Sequence, residues 1–166
     1  MKFIKFLAVA LLVVGLSACG SKFKTYNGPE VTHVVVKKTE RKMYLLHHDR
    51  VLESYDFDLG FAPTGHKFEE GDGRTPEGTY LIDRRNPNSK FHLSIGISYP
   101  NAFDRAMAFR SGKSPGGDIF IHGQPNGFKG RRKGVDWTAG CIAVKNKEIE
   151  WIYAMVKDGT PITIYP

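Results

Sequence analysis

Cysteine is scarce in this sequence, with two residues in a chain of 166. One of them, Cys19, ends an amino-terminal apolar segment, so Cys141 has no second cysteine in the remaining chain with which to form a disulfide. A domain stabilised by several disulfide bonds is therefore excluded. A lone thiol is either a small buried apolar group or a reactive nucleophile, and the residues around it must decide between them.

Metal-binding motifs are also missing. The six histidines include no His-x-x-x-His pair of the kind that binds zinc on a helix. His47 and His48 are adjacent, so on a strand they point to opposite faces and cannot share one ion. We therefore expect no metal site and no cofactor, and a zinc enzyme is the alternative that the number of histidines raises.

The sequence has no apolar run long enough to cross a membrane as a helix. The apolar stretch 6–16 is short, follows Lys2 and Lys5, and ends in Leu16-Ser17-Ala18-Cys19. This order is typical of a secretion signal, and its last four residues resemble a bacterial lipobox, in which the cysteine carries the lipid. We predict a lipoprotein signal peptide over residues 1–18 and lipidation of Cys19, with an ordinary secretion signal as the alternative.

The net charge of the full chain is +7, and removing Lys2 and Lys5 with the signal lowers it to +5. Such a charge suits an anionic membrane or cell-wall surface, and without a basic helix it does not indicate nucleic-acid binding. The signal predicts a periplasmic lipoprotein. Gly20, where an aspartate would retain the protein in the inner membrane, favours the outer membrane.

Short apolar runs separated by turn residues dominate the chain after a polar stretch that we interpret as a tether over residues 19–30. Helices are predicted from Asn101 to Phe109 and after Asn146, with each asparagine as the N-cap. The runs predict strands at 31–37, 41–48, 51–59, 79–84, 91–97, 118–122 and 161–165. Residues 31–166 therefore form one mostly-β, sandwich-like domain with one or two helices.

Two segments around Cys141 favour the reactive thiol. Ile121-His122-Gly123 ends a predicted strand, and Cys141, the last residue of Thr138-Ala139-Gly140-Cys141, lies eighteen residues after Gly123. A cysteine nucleophile needs a base and hydrogen-bond donors for the oxyanion that forms on attack. His122 is the candidate base, and Gly140 lets the backbone approach a substrate closely.

These segments resemble the L,D-transpeptidase (YkuD) catalytic domain, as does Arg74-Thr75-Pro76-Glu77-Gly78-Thr79-Tyr80. The resemblance covers residues 31–166 and implies a β-sandwich-like catalytic domain. It implies that Cys141 attacks the carbonyl of an L,D peptide bond in a peptidoglycan stem peptide and forms a thioester, while His122 moves the proton. It also implies an oxyanion region at the backbone of Gly140 and a carbonyl near Thr138 or Ala139 that orients the histidine.

Two positions depart from the commoner pattern of that family. Ala139 stands where many transpeptidases have histidine, and Ala143 stands where many have arginine. The segments 91–94 and 97–101 resemble a subgroup related to murein hydrolases, some of which release a wall-linked outer-membrane lipoprotein. The acyl acceptor there is water and not an amine, so transfer and hydrolysis are both open.

Five residues are assigned to substrate binding: Gly123, His92, Tyr99, Arg131 and Arg132. The two arginines belong to a basic loop, 129–133, that would bind stem carboxylates in place of the missing arginine, or else is a solvated charge run. The expected partners are peptidoglycan stem peptides, the membrane through the lipid, and, for a hydrolase, a wall-linked lipoprotein. A peptidoglycan-binding lipoprotein without catalysis is the alternative function.

Overall fold

The computed structural model describes residues 21–128 and 135–166. Within these ranges the chain is mostly β with two helices, as predicted. The elements in order are β1 (His33–Lys37), β2 (Lys42–His47), β3 (Arg50–Asp56), β4 (Gly78–Asn86), β5 (Ser94–Ile97), α1 (Ala102–Arg110), β6 (Phe120–His122), β7 (Ile142–Ala143), α2 (Asn146–Met155) and β8 (Pro161–Tyr165). Neither described helix has the length and apolar character that a membrane crossing requires.

The described strands form a single curled sheet in the order β3-β2-β1-β8-β4-β5-β6-β7. β1 with β8 and β6 with β7 are parallel pairs, and the other pairs are antiparallel. β4 pairs with β8 over residues 78–81 and with β5 over residues 82–86, with an irregularity between Ile82 and Arg84. Such bulges bend a strand and increase its twist, so the sheet curls where β4 changes partner.

The curl brings the chain that follows β3 against β7. Asp58 and Ala143 exchange both backbone hydrogen bonds, each of 2.9 Å, and Phe61 N–H donates to the Thr138 carbonyl at 3.0 Å. These bonds join the segment after one edge strand to the other edge strand. The two-residue strand β7 is thereby held on both sides.

Apolar side chains of the sheet and of α2 form the core. The α2 helix contacts β5 and β6 and buries Ile149, Ile152 and Met155. Burial of each large aliphatic side chain stabilises the fold by about 1.5–3 kcal/mol. The largest fully buried side chains in the described residues are those of Met43, Leu45, Leu59, Ile82, Leu93, Ile95, Ile97, Ile121, Ile142, Ile149, Ile152 and Ile162. Neighbours of both candidate catalytic residues are among them.

The prediction for the start of α1 is confirmed. Asn101 Oδ1 accepts from the N–H of Asp104 at 3.0 Å, and the Asp104 carboxylate accepts from the N–H of Asn101 at 2.9 Å. The corresponding prediction for α2 was wrong, because its N-cap is Lys145. Asn146 Oδ1 instead accepts from the N–H of Gln124 at 2.7 Å, which joins the helix to the loop after β6.

The strand predicted at 91–97 begins only at Ser94. His92 adopts a left-handed backbone with a φ of 70°, and the Phe91 carbonyl accepts from the Gly123 N–H at 3.0 Å. Residues 91–93 therefore form a turn. All four residues of β5 are buried, so neither face of this strand is exposed to solvent.

Residues 21–30, predicted to be a tether, lie against the domain, and we name them the N-terminal strap. Lys24 forms an ion pair with Glu150 at 3.1 Å, and Tyr26 packs against the core. The Glu30 carbonyl accepts from His47 Nδ1 at 2.8 Å. The polar composition of the strap gave no sign of these partners. The predicted signal peptide and Cys19 lie outside the described residues.

A buried lysine holds the loop that precedes β4. The Lys38 side chain is 3% exposed, and its ammonium group donates to Glu77 Oε1 at 2.7 Å and to the Gly65 carbonyl at 2.6 Å. It also donates to the Thr75 carbonyl at 3.3 Å. Removal of one partner of a buried ion pair is strongly destabilising, because the remaining charge stays away from water.

We therefore expect Glu77→Ala to lower the free energy of unfolding by about 3 kcal/mol or more. The matched control is Glu40→Ala, which removes the carboxylate that pairs with exposed Lys37 and should leave stability nearly unchanged. Urea denaturation of both variants measures the difference. Similar small losses in the two variants would contradict the assignment.

Candidate active site

Cys141 and His122 lie on neighbouring strands. In the parallel register of β6 and β7, Ile121 is paired with Ile142 and His122 with Ala143. Cys141, one residue before β7, therefore lies opposite Phe120, and its side chain shares a face of the sheet with His122. Both residues line one cavity of about 390 Å³. The structure thus brings the two predicted residues together.

The turn before Cys141 is fixed by the chain that enters β4. Gly140 has a φ of 126°, and a Cβ there would lie 2.5 Å from the Arg74 carbonyl oxygen, so a side chain does not fit. The Gly140 carbonyl accepts from Thr75 Oγ1 at 2.8 Å. The segment Arg74–Tyr80, noted in the sequence, is therefore in direct contact with the turn that carries the thiol.

The Thr138 side chain holds the same turn by hydrogen bonds to its backbone. Its hydroxyl donates to the Cys141 carbonyl at 2.7 Å and accepts from the Gly140 N–H at 3.2 Å. Because the Gly140 N–H already donates to this hydroxyl, we do not assign the oxyanion donor expected at Gly140 to that amide. The N–H of Cys141 becomes the candidate oxyanion donor.

The carbonyl of Gly123 orients His122. The sequence predicted a carbonyl of Thr138 or Ala139 in this role. His122 Nδ1 lies 2.7 Å from the Gly123 carbonyl oxygen. A carbonyl only accepts, so Nδ1 carries the proton and Nε2 of the neutral ring carries the lone pair that a base needs. A Cβ on Gly123 would lie 2.6 Å from Asn146 Oδ1, which explains the glycine at this position.

Two aromatic rings cover the histidine. The centroid of the His122 ring lies 4.4 Å from that of Phe91 and 5.7 Å from that of Trp137. His122 is only 3% exposed. Burial lowers the pKa of His122, and the bond to the Gly123 carbonyl only partly opposes this effect.

The thiol is also held in its neutral form. Burial raises the pKa of Cys141, outweighing a hydrogen bond from the Phe120 backbone that lowers it. The thiol donates to the Asp118 carbonyl, with Sγ 3.5 Å from the oxygen. At neutral pH the site therefore contains a thiol and a neutral imidazole, and His122 can act as a general base.

Two of the predicted substrate-binding residues, His92 and Tyr99, lie away from the cavity. His92 Nε2 lies 2.9 Å from Glu150 Oε1 on α2, and buried Tyr99 donates its hydroxyl to the Pro115 carbonyl at 3.0 Å. Neither is among the described residues that line the cavity. Gly123 follows His122 in the turn after β6, and Arg131 and Arg132 lie outside the described residues.

The cavity is lined by residues that the sequence interpretation missed. One side is a segment between β4 and β5, and it includes the exposed cation Lys90. The Asn86-Pro87-Asn88 turn was recognised, but no sequence pattern relates it to Cys141. Besides His122 and Cys141, the lining residues are Asn86, Asn88, Ser89, Lys90, Phe91, Ser94, Asp118 and Phe120.

Ala139 and Ala143, the two residues that depart from the family pattern, lie in different environments. Ala139 is exposed on the turn before the thiol. Ala143 is 1% exposed and borders a separate cavity of about 40 Å³ beside Gln124 and Lys145.

Within residues 21–128 and 135–166, no three His, Cys, Asp or Glu side chains converge as metal ligands would.

Comparison with known proteins gives concordant matches. Residues 31–164 match the family model of the L,D-transpeptidase catalytic domain (YkuD). The candidate L,D-transpeptidase YafK of Escherichia coli (strain K12) is 30% identical over 126 residues, which are 70% of this chain and 45% of that protein. The chain thus spans less than half the length of this relative.

Solved structures agree with this match. The helical cell shape determining protein Pgp2 from Campylobacter jejuni has a TM-score of 0.64 and 28% identity, covering 84% of this chain and 49% of that one. Bd1075 from Bdellovibrio bacteriovorus has a TM-score of 0.56 and 25% identity, covering 86% of this chain and 50% of that one.

The neutral thiol–imidazole pair predicts how the reactivity of Cys141 depends on pH. In a Cys19→Ser variant, the rate of alkylation by iodoacetamide should reach half of its high-pH plateau above the ordinary cysteine pKa of about 8.5. The reason is that burial raises the pKa of the thiol. A thiolate paired with an imidazolium would instead react at its plateau rate near pH 7, and that profile would contradict the assignment.

Proposed function

Because this chain belongs to the L,D-transpeptidase (YkuD) catalytic domain family, we propose that it is a cysteine enzyme acting on peptidoglycan stem peptides. The observation that carries the proposal is the placement of Cys141 and His122 on one face of the β6–β7 pair, where both line one cavity. A purely structural cysteine does not require an oriented histidine beside it.

The first half-reaction transfers the acyl group of the substrate to the enzyme. Cys141 Sγ attacks the carbonyl carbon of the L,D peptide bond while His122 Nε2 takes the thiol proton. The oxyanion forms near the N–H of Cys141. When the C–N bond breaks, His122 returns the proton to the leaving amine, and a thioester remains. The Gly123 carbonyl stabilises the imidazolium, since it faces the protonated Nδ1.

The second half-reaction returns the thiol. An amine or a water gives a proton to His122 and attacks the thioester, and the C–S bond breaks as the thiolate is protonated. An amine acceptor gives a new cross-link or an attached lipoprotein. Water gives a shortened stem peptide or a released lipoprotein. Both outcomes share the acyl-enzyme and differ only in the acceptor.

We place this reaction in cell-wall remodelling, and the name of Pgp2 as a cell shape determining protein suggests an effect on cell shape. The predicted signal peptide and lipid on Cys19 would put the enzyme in the periplasm, attached to the outer membrane. Peptidoglycan stem peptides are then the substrate, and a wall-linked outer-membrane lipoprotein is a further one if water is the acceptor.

Digestion of purified peptidoglycan tests the function. Cys141→Ala should abolish product formation, and His122→Gln should slow it by about 10²–10⁴-fold because the general base is lost. The matched control is Cys19→Ser, which removes the other cysteine and should retain activity. Mass spectrometry of the products separates new cross-links from shortened stems. Full activity in Cys141→Ala would contradict the catalytic assignment, and binding without products in the wild type would indicate a non-catalytic lipoprotein.

Lys90 is our candidate for the cation that recognises a carboxylate of the stem peptide. It lines the cavity, whereas Ala143, at the position of the family's arginine, borders a different one. The basic loop with Arg131 and Arg132, proposed from the sequence for this role, remains a second source of cations.

Loss of one charge-assisted hydrogen bond should raise KM for a stem peptide about tenfold in Lys90→Ala, with kcat little changed. Lys42→Ala is the control, since Lys42 lies on β2 and pairs with Asp56. Steady-state kinetics on a defined stem peptide measure both constants. An unchanged KM in Lys90→Ala would remove Lys90 from substrate recognition.

A further inference from the structure

The N-terminal strap reaches one side of the cavity that contains Cys141. Residues 86–91 form this side, which we name the cavity wall. The ammonium group of Lys22 donates to the Pro87 carbonyl at 2.7 Å and to the His92 carbonyl at 3.2 Å. Pro87 lies near the start of the wall and His92 directly follows its last residue, so one side chain holds this segment at both ends.

Further contacts fix the strap beside Lys22. Lys24 pairs with one oxygen of Glu150 at 3.1 Å, and His92 Nε2 lies 2.9 Å from the other oxygen. The ring of Phe23 lies 6.2 Å from that of Tyr153. The strap, α2 and the end of the cavity wall therefore form one connected set of contacts.

The cavity wall is in turn connected to the reactive histidine. Phe91 covers the His122 ring, and its carbonyl accepts from the N–H of Gly123, the residue that orients His122. On its other side the wall is held by Asn126, whose Nδ2 donates to the Ser89 carbonyl at 3.0 Å. A shift of the wall would move Phe91 and Lys90 together.

We propose that Lys22 is a positioning residue that, by clamping both ends of the cavity wall, sets the affinity of the site for its substrate. This inference rests on the proposed function. The bonds from an ammonium group to two carbonyls are charge-assisted and stronger than neutral ones. His92 acts with Lys22 as part of the clamp and does not contact the substrate.

The clamp also changes the expected reach of the lipid anchor. Cys19 precedes Lys22 by three residues, which span about 10 Å when extended. A free tether over the whole of residues 20–30 would allow about 35–40 Å. A lipid on Cys19 would therefore hold the cavity wall itself close to the membrane surface.

Kinetics of Lys22→Met in the otherwise intact chain test the clamp. We expect KM for a defined stem peptide to rise about fivefold with kcat within about twofold of the wild type, because Lys22 itself contacts neither Cys141 nor His122. Lys22→Arg, which keeps the charge, should restore most of the affinity. Lys42→Met is the matched control. An unchanged KM in Lys22→Met, or a loss only of thermal stability, would overturn the proposal.

A second measurement does not depend on turnover. In a Trp151→Phe background Trp137 is the one tryptophan, and its ring lies 5.9 Å from that of Phe91. Adding Lys22→Met should shift its fluorescence emission if the wall moves, and adding Lys42→Met should not. If the wild type lacks turnover, the proposed function fails, and this emission alone decides whether Lys22 positions the wall. An unchanged emission overturns the clamp.

Discussion

The parallel pairing of β6 with β7 determines where the side chains of Cys141 and His122 lie. β7 has two residues, too few to hold a position without help. Asp58 bonds its backbone on one side, β6 pairs with it on the other, and Thr75 fixes the turn before it through the Gly140 carbonyl. Three distant parts of the chain thus define the position of Cys141, and the curl of the sheet at β4 makes their meeting possible.

The electrostatics of the site follow from the same packing. Aromatic rings exclude water from His122, and the fold around Cys141 buries the thiol, so the neutral form of each is favoured. A neutral pair provides a general base without a permanently ionised thiolate, and a neutral thiol is less easily oxidised than a thiolate. The cavity wall supplies one of these rings, and the N-terminal strap holds the wall. The same wall thus contributes to the surroundings of His122 and carries Lys90, our candidate for substrate recognition.

Sequence patterns predicted the parts of the fold that depend on interactions between residues close together in the chain. The Asn101 cap, the last strand and the mostly-β class followed from spacing and turn residues, and the Cys141–His122 pair from two short motifs. Contacts between distant residues could not be predicted in this way. The role of Gly123, the bond from Gln124 to Asn146 and the burial of all of β5 depend on tertiary packing. The strap was missed because a polar composition is equally typical of a tether and of a segment with specific ionic partners.

The thioester on Cys141 is the central claim, and trapping it is the most direct test. Wild-type protein is mixed with a defined stem peptide, quenched in acid within the first turnover and analysed by intact-protein mass spectrometry. We expect a mass increase equal to the acyl part of the substrate, located on Cys141 after proteolysis and absent in Cys141→Ser. Product formation without any such adduct, or an adduct that maps to another residue, would contradict it.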